Sequence, residues 1–238
     1  MRSPRSFTTV WLLLSCALWG AACKKDPPPA PPVPPAAAAV PTGPAMPGVL
    51  VDAGVAVAPI APIAPPRPGD LIATIETSMG TFQIRLFVDK APATVANFVG
   101  LADGTKAWKD PKLGRDVKRP FFDGLPFFSV APSFAVQTGD PNADGTGGPG
   151  YTLPDEPKPE LRHDRPGVVT MAHRGRGTGG SQFMVLLRAH PLLDGRNSVF
   201  GEVVVGLEVV EAISRVPAEK HRPRQPIVIR KVSVKKLA

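Results

Sequence analysis

The chain offers few side chains for covalent or metal chemistry. Its two cysteines, Cys16 and Cys23, both lie in the first tenth of the 238 residues, so they build neither a disulfide scaffold nor a four-Cys zinc site. The four histidines show no metal-ligand spacing, and no G-x-S-x-G nucleophile elbow is present. Gly175-Arg176-Gly177-Thr178-Gly179-Gly180 fits a dinucleotide-binding pattern, but that use needs a helix directly afterwards, and Ser181 to Leu187 reads as a strand. Asp140-Pro141-Asn142-Ala143-Asp144-Gly145 fits the first half of a calcium loop. Its twelfth position is Tyr151 instead of a bidentate Glu, and no helix pair flanks it. What remains is amide and aromatic chemistry. Gln137 and Gln182 border apolar runs, where a buried amide needs partners. Phe134, Met184 and Leu193, taken alone, read as core.

The elements that would position these residues are short and mostly extended. Leu71 to Glu76 and Thr81 to Phe87 alternate with period two around a Ser78-Met79-Gly80 turn, with Gln83 and Arg85 on a wet face. Asp89 to Asp103 switches to helical spacing, with Pro92 in the first turn and Gly104 as a stop. A basic stretch from Thr105 to Pro120 reads as a solvated loop. Apolar runs follow at Phe127–Val130, Ser133–Gln137, Val168–Ala172, Phe183–Leu187, Ser198–Val205 and Ile227–Val234, with a short helix near Val209–Ile213. Many short strands with two helices indicate an antiparallel barrel or sandwich.

The rest of the chain is an address and a spacer. Arg2 and Arg5 precede an uncharged run from Val10 to Ala22, shorter than the ~20 residues that span a bilayer and consistent with an export signal. Gly20-Ala21-Ala22-Cys23 resembles a bacterial lipobox, with Gly20 where Leu is usual, so Cys23 is the expected lipidation site on a mature chain facing the periplasm or exterior. Pro27 to Pro68 holds 15 prolines in 42 residues, with only Asp52 and Arg67 charged. Such a stretch cannot pack a core, and should be a disordered, PPII-like tether reaching on the order of 130 Å. The expected organisation is thus 1–22 signal, 23–69 lipidated linker and 70–238 globular domain. That domain carries 23 Lys and Arg against 18 Asp and Glu. The whole-chain charge of +8 is mild and does not by itself suggest a nucleic-acid partner.

The run from Phe122 to Pro141 (F-D-G-L-P-F-F-S-V-A-P-S-F-A-V-Q-T-G-D-P) resembles the central signature of the cyclophilins. Further blocks arrive in that family's order: Gly145–Tyr151 with Asp155-Glu156, Gly167–Ala172 leading to Gly180-Ser181-Gln182-Phe183, then Leu193-Asp194-Gly195 with Val199-Phe200-Gly201. The likeness spans about Leu71 to Val234. It implies a mainly β fold, a closed eight-stranded antiparallel barrel capped by two helices, Ala91–Asp103 and Leu207–Arg215. It also implies cofactor-free cis–trans isomerisation of the bond before proline, in a monomer acting on proline-containing exported polypeptides. Residue by residue, Phe134 takes the place of the aromatic pocket wall, and Ala135 that of a usual Met. Gln137 and Gln182 match the two glutamines, Ala172 and His173 the peptide-binding Ala-Asn, and Met184 a usual Phe. Leu192 stands at a frequent Trp, Leu193 at the Leu, and Asn197 at a polar residue closing the pocket. Ser129 replaces the Arg that is the family's main catalytic donor. The implied activity is therefore weak, and the alternative is a non-catalytic proline-peptide binding module on the same barrel.

Overall fold

The structure, a computed structural model, describes residues 64–238. The export segment, Cys23 and the linker as far as position 63 lie outside the described residues.

The opening alternation forms the hairpin β1 (Leu71–Thr77) and β2 (Gly80–Leu86). Helix α1 (Pro92–Asp103) follows, then a small hairpin of β3 (Trp108–Asp110) and β4 (Arg115–Val117). Next come β5 (Ser129–Ala131), β6 (Ala135–Thr138), β7 (Val168–Met171), β8 (Phe183–Leu186), a 3-10 turn at Pro191–Leu193 and β9 (Val199–Val205). Helix α2 (Leu207–Ser214), the two-residue strands β10 (Ala218–Glu219) and β11 (Arg222–Pro223), and β12 (Ile229–Lys236) complete the chain.

Eight strands form one antiparallel sheet in the order β12-β1-β2-β9-β7-β8-β6-β5. Its two edges meet through the segments that precede β5 and β12. Gly124 N–H donates to the Ile229 carbonyl at 2.7 Å, Ile229 N–H to Leu125 at 2.9 Å, and Phe127 N–H to Ile227 at 2.9 Å. Pro126 bridges Val228 between them. Curling the sheet on itself leaves one apolar interior, and Phe98, Phe122, Phe183 and Phe200 stack there with ring centroids 5.0–6.2 Å apart.

Helix α1 buries Val95, Phe98 and Leu101 on its inner face and packs against β12, and α2 packs against β2, β5 and β6. No side chain of its own caps α1. The carboxylate of Glu156 does so from 62 residues away, accepting from Ala93 N–H at 3.1 Å and Thr94 N–H at 2.7 Å.

Two expectations need correction. The stretch 105–120 is no free loop, because Trp108 is buried against Phe121 and the buried Asp110 carboxylate accepts from Lys112 N–H, Leu113 N–H and Arg119. One aromatic anchor and one carboxylate are enough to fold the hairpin onto the barrel. Arg85 leaves the wet face that its alternation suggested and is only 5% exposed. Glu202 on β9 accepts from its Nη2 at 2.6 Å and Asp70 accepts from its Nη1 at 3.1 Å, so the guanidinium is buried together with its counter-ions.

Candidate functional site

The site face follows from strand alternation and register. Ser129 on β5 stands opposite Gln137 on β6, Gln137 opposite Met184 on β8, and Met184 opposite Thr170 on β7. These side chains form one row, with directly paired Cβ atoms ~4.5–5.5 Å apart. The residues between them, Val130, Val136, Val185 and Val169, turn into the core. Beside the row, Ala135, Val168, Leu186 and Val199 make a second, smaller apolar cluster against which Met184 and Leu193 pack. Phe134 sits on the turn joining β5 to β6, where Ser133 holds a positive φ of 58° and Phe134 N–H returns to the Ala131 carbonyl at 3.0 Å. Its ring meets His190 edge-on at 4.4 Å and stays 36% exposed. Burial, with the charges of Arg188 and His163, holds the His190 imidazole below the usual range.

The two glutamines have unequal roles. Gln182 Nε2 donates to the carbonyls of Gly145 at 3.0 Å and Gly147 at 2.8 Å, and its Oε1 accepts from Gln137 Nε2 at 3.0 Å. Both of its N–H donors are spent on position. Gln137 keeps its Oε1 and one N–H without a protein partner among the described residues. Gln182 therefore props the loop at 145–147 and aims Gln137.

That loop is shaped by Asp140, which is fully buried. Its carboxylate accepts from Asn142 N–H at 2.7 Å, Asp144 N–H at 3.2 Å and Gly145 N–H at 2.5 Å. The acidic pattern that imitates a calcium loop is an Asp folding its own turn. Gly147 is needed here because a Cβ would fall 2.1 Å from Asp140 Oδ1. Among the described residues no group of three His, Cys, Asp or Glu could hold a metal ion. The glycine-rich stretch 175–180 runs into strand β8, as its reading as a non-nucleotide loop requires.

A cavity of about 470 Å³ opens beside this network, lined by Gln137, Gln182, Ala172, His173, Arg174 and the loop at 145–152. Tyr151, also in that wall, donates its hydroxyl to Asn97 Oδ1 at 2.8 Å, and burial pushes the phenol up to about 12. Asn97 in turn donates to the Gly180 carbonyl at 2.8 Å, tying α1 to the cavity rim. His173 is fixed from both ring nitrogens: Gly175 N–H donates to Nδ1 and Nε2 meets the Arg196 carbonyl, each at 3.2 Å.

The residues expected from the sequence thus fall into groups. Ser129 and Gln137 share a row, Gln137 and Gln182 are hydrogen-bonded, and Ala172 and His173 line the same cavity as both glutamines. Ala135, Met184 and Leu193 gather at the neighbouring apolar cluster. Asn197 is 8% exposed and donates to the Met171 carbonyl at 2.9 Å. Leu192 is 73% exposed and outside both the cavity lining and the cluster.

One supporting group went unnoticed in the sequence. His163, fully buried, meets Asp194 Oδ1 through Nδ1 at 2.9 Å and Thr170 Oγ1 through Nε2 at 3.0 Å, bracing β7 at the Thr170 end of the row. Nothing in local spacing links residues 163, 170 and 194. Burial works to raise the Asp194 carboxyl, but hydrogen bonds from His163 and Arg162 outweigh it and hold the group below its usual value.

Comparison with known proteins gives the same picture. The family model described as "Cyclophilin type peptidyl-prolyl cis-trans isomerase/CLD" matches residues 72–234. The chain is 44% identical over 165 residues to peptidyl-prolyl cis-trans isomerase A of Mycobacterium tuberculosis, covering 68% of this chain and 91% of that protein. It is 42% identical over 168 residues to isomerase B of Streptomyces anulatus, covering 69% and 96%. A cyclophilin-type isomerase of Cryptosporidium parvum, solved in the presence of the dipeptide Ala-Pro, superposes with a TM-score of 0.59 at 28% identity, over 69% of this chain and 98% of that one.

Proposed function

The chain belongs to the cyclophilin-type peptidyl-prolyl cis–trans isomerases, and from that premise we propose that it works outside the cytoplasm, held to a membrane by lipid on Cys23, on proline-containing segments of exported polypeptides. The uncatalysed rotation faces a barrier of ~18–20 kcal/mol and takes tens to hundreds of seconds. A site lowers that barrier by stabilising a twisted amide whose nitrogen has lost resonance.

The observation that carries the reading is a directed amide beside an apolar patch. Gln137, aimed by Gln182, keeps free hydrogen-bonding capacity on the face where Phe134, Met184 and Leu193 offer apolar surface. In this reading the patch takes the proline ring out of water, Gln137 holds a flanking peptide group, and Ala172 and His173 border the chain of the substrate. Ala135, a small side chain, leaves the patch wide. Asn197 braces Met171 behind it, and the exposed Leu192 offers a rim contact. The Cryptosporidium parvum relative solved in the presence of the dipeptide Ala-Pro supports proline-peptide binding.

Ser129 sets the expected rate. Its hydroxyl is one neutral donor on a short stem, and loss of one preorganised donor in comparable sites costs ~10²–10³ in rate. We therefore place the activity below that of a site with a cation at position 129. Ser129 also favours a second reading, a monomeric module that binds proline peptides without turnover. Exchange spectroscopy of an Ala-Pro peptide with the full chain separates the two. Exchange faster than buffer is expected, and a rate equal to buffer leaves the binding module. Palmitate labelling that disappears in Cys23→Ala tests the anchor; labelling that persists overturns it.

A further inference from the structure

We propose that Arg174 supplies the cationic hydrogen-bond donor of the site. This rests on the isomerase reading and names a residue for it. Among the side chains lining the cavity, Arg174 is the one Lys or Arg. Its Nη2 donates to the carbonyl of Gly145, the same oxygen that accepts from Gln182 Nε2 at 3.0 Å. The guanidinium is thus one shared acceptor away from the amide that aims Gln137.

The loop that presents it is held from several directions. Arg174 N–H donates to Thr178 Oγ1 at 3.0 Å, and that hydroxyl donates to the Gly175 carbonyl at 2.7 Å. Gly177 N–H donates to Asp155 Oδ2 at 2.8 Å. A guanidinium carries five N–H donors, and only one of those of Arg174 is engaged within the protein among the described residues. The group already grips a peptide carbonyl, that of Gly145. A substrate lying over Gln182 presents the same chemistry, a peptide carbonyl and, on twisting, an amide nitrogen that regains its lone pair. A fixed cation at that point stabilises the twisted state more than the planar one.

Arg176, on the same loop, is exposed and does not line the cavity, and two further arginines are committed elsewhere. Arg119 pairs with Asp110 at 2.6 Å and lies over Trp108 at 5.1 Å, and Arg222 donates to the Ala143 carbonyl at 3.0 Å. Ser129 is neutral, so the row itself holds no cation.

The test compares kcat/KM of the full-length protein on an Ala-Pro peptide with Arg174→Met, Arg174→Lys and the double variant Arg174→Met/Ser129→Arg. The expected result is a fall of tenfold or more for Arg174→Met, mainly in kcat. Arg174→Lys should restore part of it, and adding Ser129→Arg to the Met variant should raise the rate again. An unchanged rate overturns the proposal. So does a faster one, which makes Arg174 a bolt across the cavity. Circular dichroism of the variants checks that each is folded, and Arg174 is exposed enough for Met to be tolerated. Should the unmodified protein turn over at the buffer rate, the isomerase reading fails by itself. Titration with the same peptide then decides on Arg174: affinity at least threefold weaker in Arg174→Met upholds its role as the donor that grips the peptide, and equal affinity overturns it.

Discussion

Two polar clusters interrupt the apolar strands, and they have opposite designs. Around Arg85, charge is matched by charge: Glu202 and Asp70 take the guanidinium, Arg165 takes the other Glu202 oxygen at 2.7 Å, and the carbonyls of Ala64 and Pro65 accept the remaining donors. The Gln137–Gln182 pair is neutral, with Arg174 reaching the Gly145 carbonyl from its exposed side, and one amide keeps free capacity toward a cavity. A buried cluster that satisfies itself holds the fold. One that is satisfied on one side only is available to a ligand, and its cost stays small because it is uncharged.

The contrast makes its largest prediction at Arg85. Arg85→Met leaves Glu202 to Arg165 and Asp70 to Arg67, and should destabilise by about 3 kcal/mol, the low end for a broken buried pair, lowering Tm by roughly 10 °C, while kcat/KM per folded molecule stays unchanged. Denaturant unfolding and exchange rates read the two effects separately; a variant that loses rate but not stability breaks the comparison. Gln137→Leu should do the reverse. Its expected cost is ~10² in kcat/KM with stability shifted by less than about 1 kcal/mol, measured by the same pair of assays.

Between these extremes stands the His163–Asp194 pair, a fully buried ring on a half-buried carboxylate, placed at the Thr170 end of the row. Asp194→Asn at neutral pH should cost about 1–3 kcal/mol by weakening the bonds to a fully buried ring. The folded-state pKa of Asp194 is lowered, so its contribution is present above the ordinary carboxylate value of about 3.9 and is lost as pH falls through the lower folded value. The gap between wild type and Asp194→Asn should therefore narrow only below about pH 3.9, as followed by unfolding at stepped pH. A gap that closes near neutrality points to another group. The smallest effect belongs to Leu192, whose side chain is 73% exposed. Leu192→Ala should move stability by less than ~0.5 kcal/mol and kcat/KM by less than twofold, and a larger loss of rate would return it to the pocket.

Much of the site face is legible in the sequence. Period-two alternation on β1 and β2 and the helical spacing of Val95, Phe98 and Ala102 are set by residues a few places apart. The resemblance to the cyclophilins implied that Gln137, Gln182 and Ser129 share a site, and the register brings them together. What remained hidden depended on separation. Arg85 reads as a solvated strand residue until β9 brings Glu202 beside it, 117 residues away. Trp108 and Asp110 read as parts of a polar loop until the barrel supplies a surface to fold against.

The sequence by itself therefore determined the first hairpin, α1 and the antiparallel class, because backbone geometry ties each of these to local period and turn chemistry, and the family resemblance supplied the residue types on the site face. Only the tertiary structure decided that Glu156 caps α1, that Gln182 is a prop and Gln137 the free amide, and that Arg174 meets Gly145. Each of those contacts joins segments far apart along the chain, and their meeting is fixed by how the sheet closes and how the loops cross its mouth, which no local pattern encodes.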